Sequence, residues 1–336
     1  MLHLTPYILI SLSMMILSTL MVFSSPNWLM AWLAMELNLL SFIPLMTATK
    51  SNQETEAAIK YFLAQALGSA LMLLSSISLW HTKSSSSTMS MMLLLALLLK
   101  LGSAPCHFWL PPVMTSMSWT NCLILSTWQK LGPLTLLAFS LNSYNLMNNT
   151  MMVLAASMNG LVGGIMGLNQ VHMRTILAYS SIIHMGWAIA LISINTPQTC
   201  ILYFLLYSLI IAPLFIIFEH TSAQTSNQTP SLNHLMTSPL SFMTTILLMS
   251  LAGLPPLTGF LPKWAAISSL ANQCPLLTLT LILSSLMSLY FYLNLSFNML
   301  MSRLFNQFNL NTQQTPLGLL LLSSTSLLGL IPALII

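Results

Sequence analysis

The sequence contains no aspartate, and its four acidic residues are all glutamates, set against eight lysines and arginines. Charged residues fill only 4% of the 336 positions, where a soluble domain carries about a quarter. That shortage excludes a chain that folds in water. Eight scattered basic groups, for a net charge of +4, also form no face for nucleic acid. Too few acids are present to coordinate an alkali-metal ion. The cysteines Cys106, Cys122, Cys200 and Cys274 show no CxxC spacing, so they read as apolar packing residues with no disulfide or metal site. No Walker motif occurs, and the longest loop candidate, His220 to Ser238, is too short to bury a soluble core.

What is abundant is apolar sequence. Hydrophobic residues make up 56% of the chain and its mean hydropathy is +0.84. Apolar stretches of roughly 17–25 residues, the length that crosses a bilayer as a helix, recur throughout. The opening MLHLTPYILISLSMMILSTLM lacks a basic n-region and a small-residue cleavage site, and it is not an Arg-rich transit peptide. It reads as a first membrane helix.

The expected fold is an all-α polytopic membrane protein with about eleven transmembrane helices. The spans run near 6–23, 27–47, 56–79, 89–111, 118–140, 149–168, 173–194, 199–219, 239–271, 275–300 and 316–335. Turn chemistry marks the gaps: SSPN at 24–27, TKSSSST at 82–88, NSYN at 142–145, NTPQ at 195–198 and QFNLNTQQTP at 307–316. An odd count puts the ends on opposite sides. Lys50, Arg174 and Arg303 would share the N-terminal side and Lys83 the other, so the positive-inside bias places the N-terminus inside.

The ionisable residues then sort by depth. In AWLAMELNLLSF, Glu36 stands alone near the middle of span two; Lys100 and Lys130 lie near the middles of spans four and five, His184 near the middle of span seven, and Lys263 within the overlong span nine. A charge at that depth costs about 3 kcal/mol on insertion scales, and such residues usually line ion or proton paths. Lys60, a few residues inside span three, is equally open to snorkelling toward the headgroups. His184 has the competing role of a hydrogen-bonded core residue.

Spans four and nine are interrupted alike. KLGSAPCHFWLPP from Lys100 and SLAGLPPLTGFLPKW from Ser250 both run from leucine through small residues and proline to aromatic-Leu-Pro. Glycine and proline this dense break the helical ladder, and broken backbone at membrane depth is tolerated only inside protein or along a wet cavity. Matching breaks five spans apart predict two inverted, antiporter-like repeats, near 6–140 and 149–300, with a C-terminal helix at 316–336. Lys100 would sit at the C-terminal end of a half-helix, where the dipole favours a cation. In STWQKLGP, Gly132–Pro133 suggests a kink beside Lys130.

A desolvated lysine gives up its proton more readily, and an opposed carboxylate reverses this. At 4 Å and an effective dielectric of ~20 the pair interacts by about 4 kcal/mol, roughly three units of proton affinity. Glu36 is therefore read as the switchable counter-charge of Lys100. His172 and His184 are twelve residues apart and so do not share a helical face for haem ligation. GLVGGIMG at 160–167 carries GxxxG spacings inside an apolar span, which favours close helix packing rather than a nucleotide loop.

The blocks TEAAIKYFLAQA, LKLGSAPCHFWLP, LSTWQKLGP, GLNQVHMRTILAYSSIIHMGWAIA and LAGLPPLTGFLPKW resemble the antiporter-like subunits of NADH:ubiquinone oxidoreductase (respiratory complex I), and among them the mitochondrially encoded chain 2 family in its animal form. The blocks spread from about residue 27 to 300. The resemblance implies a proton-translocating subunit of the membrane arm, in the mitochondrial inner membrane, with its N-terminus on the matrix side and its C-terminus on the intermembrane-space side. Animal members lack three N-terminal helices of bacterial relatives, which fits eleven spans. The family's glutamate falls on Glu36, its partner lysine on Lys100, the central lysine on Lys130, the exit-side lysine on Lys263, a further lysine on Lys60 and the histidine of the SSIxHMGW block on His184. No cofactor is expected in this chain; NADH, FMN, iron–sulfur clusters and ubiquinone are expected in partner subunits. The partners implied are other membrane-arm and accessory subunits and inner-membrane lipids, in an obligate hetero-oligomer without nucleic acid. Two positions depart from the family: Pro112 stands where a glutamate often precedes valine, and Thr175 where a second basic residue often follows Arg174.

Competing expectations are a stand-alone cation/proton antiporter and a membrane scaffold with relic lysines. The missing N-terminal helices and the lack of acidic ion ligands disfavour the first. Midplane alignment of the charges disfavours the second.

Overall fold

The structure, a computed structural model, describes residues 6–48, 51–81, 87–141, 146–221 and 238–306. Among them are thirteen α-helices: α1 Pro6–Ser24, α2 Trp28–Met46, α3 Asn52–His81, α4 Ser87–Leu101, α5 Leu110–Ser116, α6 Trp119–Ser126, α7 Trp128–Leu141, α8 Leu146–Leu168, α9 Met173–Ser193, α10 Pro197–Thr221, α11 Ser238–Ala252, α12 Phe260–Leu270 and α13 Pro275–Asn306. Eight stretches are long and apolar enough to cross a membrane, including Trp119–Phe139, which holds α6 and α7. Expected spans four and nine fall on shorter helices either side of an interruption. The expected span 316–335, the polar stretches at 82–86 and 142–145, Lys50, Lys83 and the Arg303 side chain lie outside the described residues.

The chain divides into two compact units, Met1–Ala155 and Ala156–Ile336. In the first, α2 packs between α1 and α3, α3 packs on α4 and α5, and α4 packs on α7. The inner face of α1 shows why. Ile8, Ser11, Met15, Ser18 and Val22 recur at three- and four-residue steps and are buried, while Leu9, Ile10, Leu17 and Leu20 face outward. The serines on this face cost little, because Ser11 and Ser18 donate to the carbonyls of Ile8 and Met15, each at 2.8 Å.

In the second unit α9 is the core helix, buried on almost every side and packed against α10, α12 and α13. GLVGGIMG fits α8 against its neighbours as its spacing suggests. Gly160, Gly164 and Gly167 lie against Ser284, Met287 and Phe291 of α13, and Gly163 lies against Ile183 and the Tyr179 backbone of α9. A Cβ on Gly163 would stand 2.9 Å from the Tyr179 carbonyl oxygen. Gly163→Ala is therefore expected to force α8 away from α9 and cost about 1–3 kcal/mol, read as a lower thermal midpoint of the assembled protein.

Both interruptions start the same way. At the end of α4, Gly102 takes φ +66, with Gly102 N–H donating to Leu99 O (3.1 Å) and Ser103 N–H to Leu98 O (3.1 Å). At the end of α11, Gly253 takes φ +86, with Gly253 N–H donating to Ser250 O (3.0 Å) and Leu254 N–H to Met249 O (3.4 Å). This paired 5→2 and 6→1 bonding is the Schellman helix end, which needs a left-handed residue that glycine adopts freely. Asn195 (φ 60) closes α9 in the same manner. In span five the interruption is at Thr127 (φ −112, ψ −72), ahead of Lys130, while Pro133 is accommodated inside α7. Gly132–Pro133 is therefore not where that span breaks.

Candidate functional site

A helix that stops inside a membrane strands its last carbonyls, and each needs a donor. At the end of α4 two neutral side chains supply them. Trp109 Nε1 donates to Leu99 O (3.0 Å) from the 3₁₀ turn His107–Trp109, and Gln65 Nε2 on α3 donates to Lys100 O (3.2 Å). Tyr61 packs edge-on against both Trp109 and Phe42, at ring separations of 5.7 and 5.3 Å, which fixes the indole. At the end of α11 the donor is charged. Lys263, on α12, turns its ammonium back to Ala252 O (2.8 Å) and Leu251 O (3.2 Å). A cation there also meets the negative pole of α11.

The capped end of α4 opens onto a cavity of about 20 Å³ lined by Asn38, Gln65, Lys100, Gln129 and Lys130 together with Tyr61 and Trp109. That is room for a water molecule with polar partners around it. Lys100 and Lys130 are 5% and 3% exposed, so neither snorkels. Lys100 lies in the last turn of α4, and Lys130 in the first turn of α7. Helix poles therefore favour an ammonium at Lys100 and disfavour one at Lys130. The Lys130 nitrogen is buried without a hydrogen-bond partner. Beside it, Asn38 and Gln129 hold each other through two reciprocal amide bonds, Asn38 Nδ2 to Gln129 Oε1 (2.9 Å) and Gln129 Nε2 to Asn38 Oδ1 (3.2 Å).

Glu36 does not line this cavity. It stands on the flank of α2, half-buried, between the inward Met35, Asn38 and Leu39 and the outward Leu33 and Leu40. Its Oε2 has no hydrogen-bond partner, and the ion pairs found among the described residues do not include one with Lys100. The carboxylate nevertheless lies near enough to act on Lys100 electrostatically. The expected Glu36–Lys100 contact is thus a charge–charge interaction at a distance here. Lys60 is not brought to the cavity either. It is 46% exposed on its side chain and pairs with Glu56 one turn earlier on α3.

In the second unit His184 Nδ1 lies 2.8 Å from the Tyr203 hydroxyl, and its ring packs at 4.6 Å on Tyr207. A second cavity, of about 10 Å³, is lined by His184, Tyr203 and Tyr207 and by Ser250, Leu251, Gly259 and Pro262 of the second interruption. His184 thus faces the break whose carbonyls hold Lys263. Tyr203, Tyr207 and Tyr292 are all fully buried. Sequence reasoning passed over these tyrosines, as it did Asn38, Gln65 and Trp109. Their signal was uncharged polar groups carried within otherwise apolar spans. Pro112 is exposed at the start of α5, and Thr175 donates to His172 O (2.7 Å) in the first turn of α9. All four cysteines are free thiols, Cys122 and Cys200 of them buried.

A multi-pass helical protein whose interrupted helices hold buried lysines at their ends has the build of an antiporter-like membrane subunit. The family described as NADH:quinone oxidoreductase/Mrp antiporter, TM, matches residues 25–289. Relatives named NADH-ubiquinone oxidoreductase chain 2 are 50% identical in Lumbricus terrestris over 87% of this chain and 86% of that one, and 40% identical in Gallus gallus over 96% of each. The chain belongs to this chain 2 family. Its fold matches a chain of respiratory complex I from Thermus thermophilus, solved with bound aureothin, at a TM-score of 0.84 and 24% identity over 98% of this chain and 79% of that one.

Proposed function

We propose that this chain is the membrane-arm subunit of respiratory complex I that carries protons across the mitochondrial inner membrane when NADH oxidation and ubiquinone reduction proceed in partner subunits. One observation carries the reading: two buried lysines, Lys100 and Lys130, share a water-sized cavity at a helix break, with a third buried lysine, Lys263, on the other break. The lysine poles are unequal. A proton rests on Lys100 at the negative end of α4, and reaches Lys130 only when the surroundings change.

Glu36 supplies such a change. Its charge acts on Lys100 without contact, so a shift of α2 would alter that interaction before any bond is made or broken. In the second unit His184, with Tyr203, passes protons beside the break where Lys263 is held. Lys60, paired with Glu56 on an exposed face, acts in the entry of protons or in subunit contact. No cofactor is carried by this chain; NADH, FMN, iron–sulfur clusters and ubiquinone belong to the partners.

The matching Schellman ends at Gly102 and Gly253 support two inverted five-helix repeats, each with one broken span, within eleven crossings. The bias of Lys50, Arg174 and Arg303 against Lys83 supports an N-terminus on the matrix side and a C-terminus on the intermembrane-space side.

The test is Lys100→Met in the assembled complex, with quinone reduction and proton uptake followed together in sealed vesicles. The methionine keeps the apolar stem, so the complex is expected to assemble while the protons that travel this subunit's path are lost. Unchanged pumping per electron would sink the reading.

A further inference from the structure

Lys130 is an anomaly that the proton path alone does not explain. Its nitrogen is buried, it lies in the first turn of α7 where a cation is disfavoured, and it has no hydrogen-bond partner. Asn38 and Gln129 line the same cavity and carry carbonyl oxygens that could hold an ammonium, yet each oxygen accepts the other's amide N–H and neither bonds Lys130. Primary amides on buried helix faces are costly in an apolar medium, and a reciprocal pair is the arrangement that satisfies both at once. The pair bridges α2 and α7, and α2 is the helix that also carries Glu36.

We propose that the Asn38–Gln129 amide pair is a latch that sets how firmly Lys130 holds a proton. Closed, as in this structure, it holds both carbonyl oxygens on each other's amide and out of hydrogen-bond reach of Lys130, which is left as a neutral amine. Opened by a movement of α2 against α7, it turns the Gln129 or Asn38 oxygen to Lys130, which then accepts a proton. That proton is the one Lys100 gives up: the Lys100 N–H bond breaks, a cavity water relays the proton, and the Lys130 N–H bond forms, with no change in total charge. Asn38 and Gln129 are positioning residues, acting through Lys130. The other titratable groups facing this cavity are Lys100 from α4 and Tyr61 from α3; α2 presents Asn38 and not Glu36, the 3₁₀ turn and α5 present Trp109 and Leu110, and α6 presents Leu125.

This inference rests on the proposed proton path through Lys130, and the two are tested separately. In the assembled complex in sealed vesicles, protons moved per electron are measured against pH for Asn38→Leu/Gln129→Leu, which removes both amides at similar volume. Losing the acceptors makes Lys130 harder to charge, so the alkaline limb of the profile is expected to move down by about one pH unit, a tenfold loss of proton affinity. The exchanged pair Asn38→Gln/Gln129→Asn keeps two amides and is expected to restore the limb. If the leucine pair prevents assembly, Gln129→Glu serves instead: a carboxylate beside Lys130 must move the limb upward. An unmoved limb, with Lys130→Met still lowering protons per electron, overturns the latch and leaves the path standing. Unchanged protons per electron in Lys130→Met overturns the path through that residue, and the latch with it.

Discussion

Gly259→Ala is expected to abolish accumulation of the assembled complex, the largest effect of a methyl group added at any of the described glycines. The Gly259 backbone is ordinary, with φ −67 and ψ −13, so conformational freedom is not what the position requires. Space is. A Cβ built there would overlap the carbonyl oxygen of Ser250, the backbone of α11 itself. The segment between α11 and α12 doubles back against the end of the helix it has just left, and neither backbone can yield without moving the Schellman turn at Gly253. The cost exceeds the ~1–3 kcal/mol of ordinary overpacking, because no side chain is available to relax. Gly132→Ala is the control. There the new Cβ meets the sulfur of Met35 at 2.9 Å, the far end of a flexible side chain, and the complex is expected to assemble. Native gel electrophoresis of the membrane arm reads both.

Lys263→Met is expected to remove proton transfer and to loosen the second break together. The ammonium is the donor recorded for the last two carbonyls of α11, at 2.8 and 3.2 Å. Each buried carbonyl left unsatisfied costs about 1–3 kcal/mol, and the charge–dipole interaction is lost as well. Amide hydrogen exchange should rise through 249–254 and protons moved per electron should fall. Lys263→Arg keeps a cation and donors, so it is expected to preserve the exchange protection while its fixed charge still blocks proton release. An arginine variant that pumps like the parent would show that Lys263 caps a helix and carries no proton. The contrast with α4, whose end is capped by neutral Gln65 and Trp109, gives the reason to expect coupling at one break only: proton loss from Lys263 removes the charge that strengthens the cap of α11, whereas proton loss from Lys100 leaves the α4 caps as they are.

Much of this was legible in the residues. The apolar runs set most of the helices, since their lengths and the turn residues between them leave few other ways to satisfy backbone groups in lipid. α4 and α11 end within KLGSAP and SLAGLPP, where Gly102 and Gly253 take the left-handed turn (φ +66 and +86) that closes a helix. GLVGGIMG announced a close approach and α8 makes it. Gly132–Pro133 was the expected kink near Lys130; α7 runs through it, and the helical assignment is interrupted at Thr127, ahead of Lys130.

Which polar groups meet was beyond the sequence. Glu36 and Lys100 are the natural pair by charge, yet the helical phase of α2 turns Asn38 to the cavity and leaves Glu36 on the flank. Lys60 has the same composition-level signal as Lys100, but Glu56 one turn away holds it on an exposed face. His184 could be placed by depth, whereas its partners Tyr203 and Tyr207 lie nineteen and more residues on, across a helix–helix contact. Sequence alone determined that this chain is a multi-pass bundle of membrane helices with lysines set within apolar sequence, since length, hydropathy and backbone chemistry act locally. Only the tertiary structure decided which lysine faces a cavity, which one caps a helix and which amides stand between them. Those outcomes depend on the rotation of each helix against its neighbours, which is set by packing of many side chains at once.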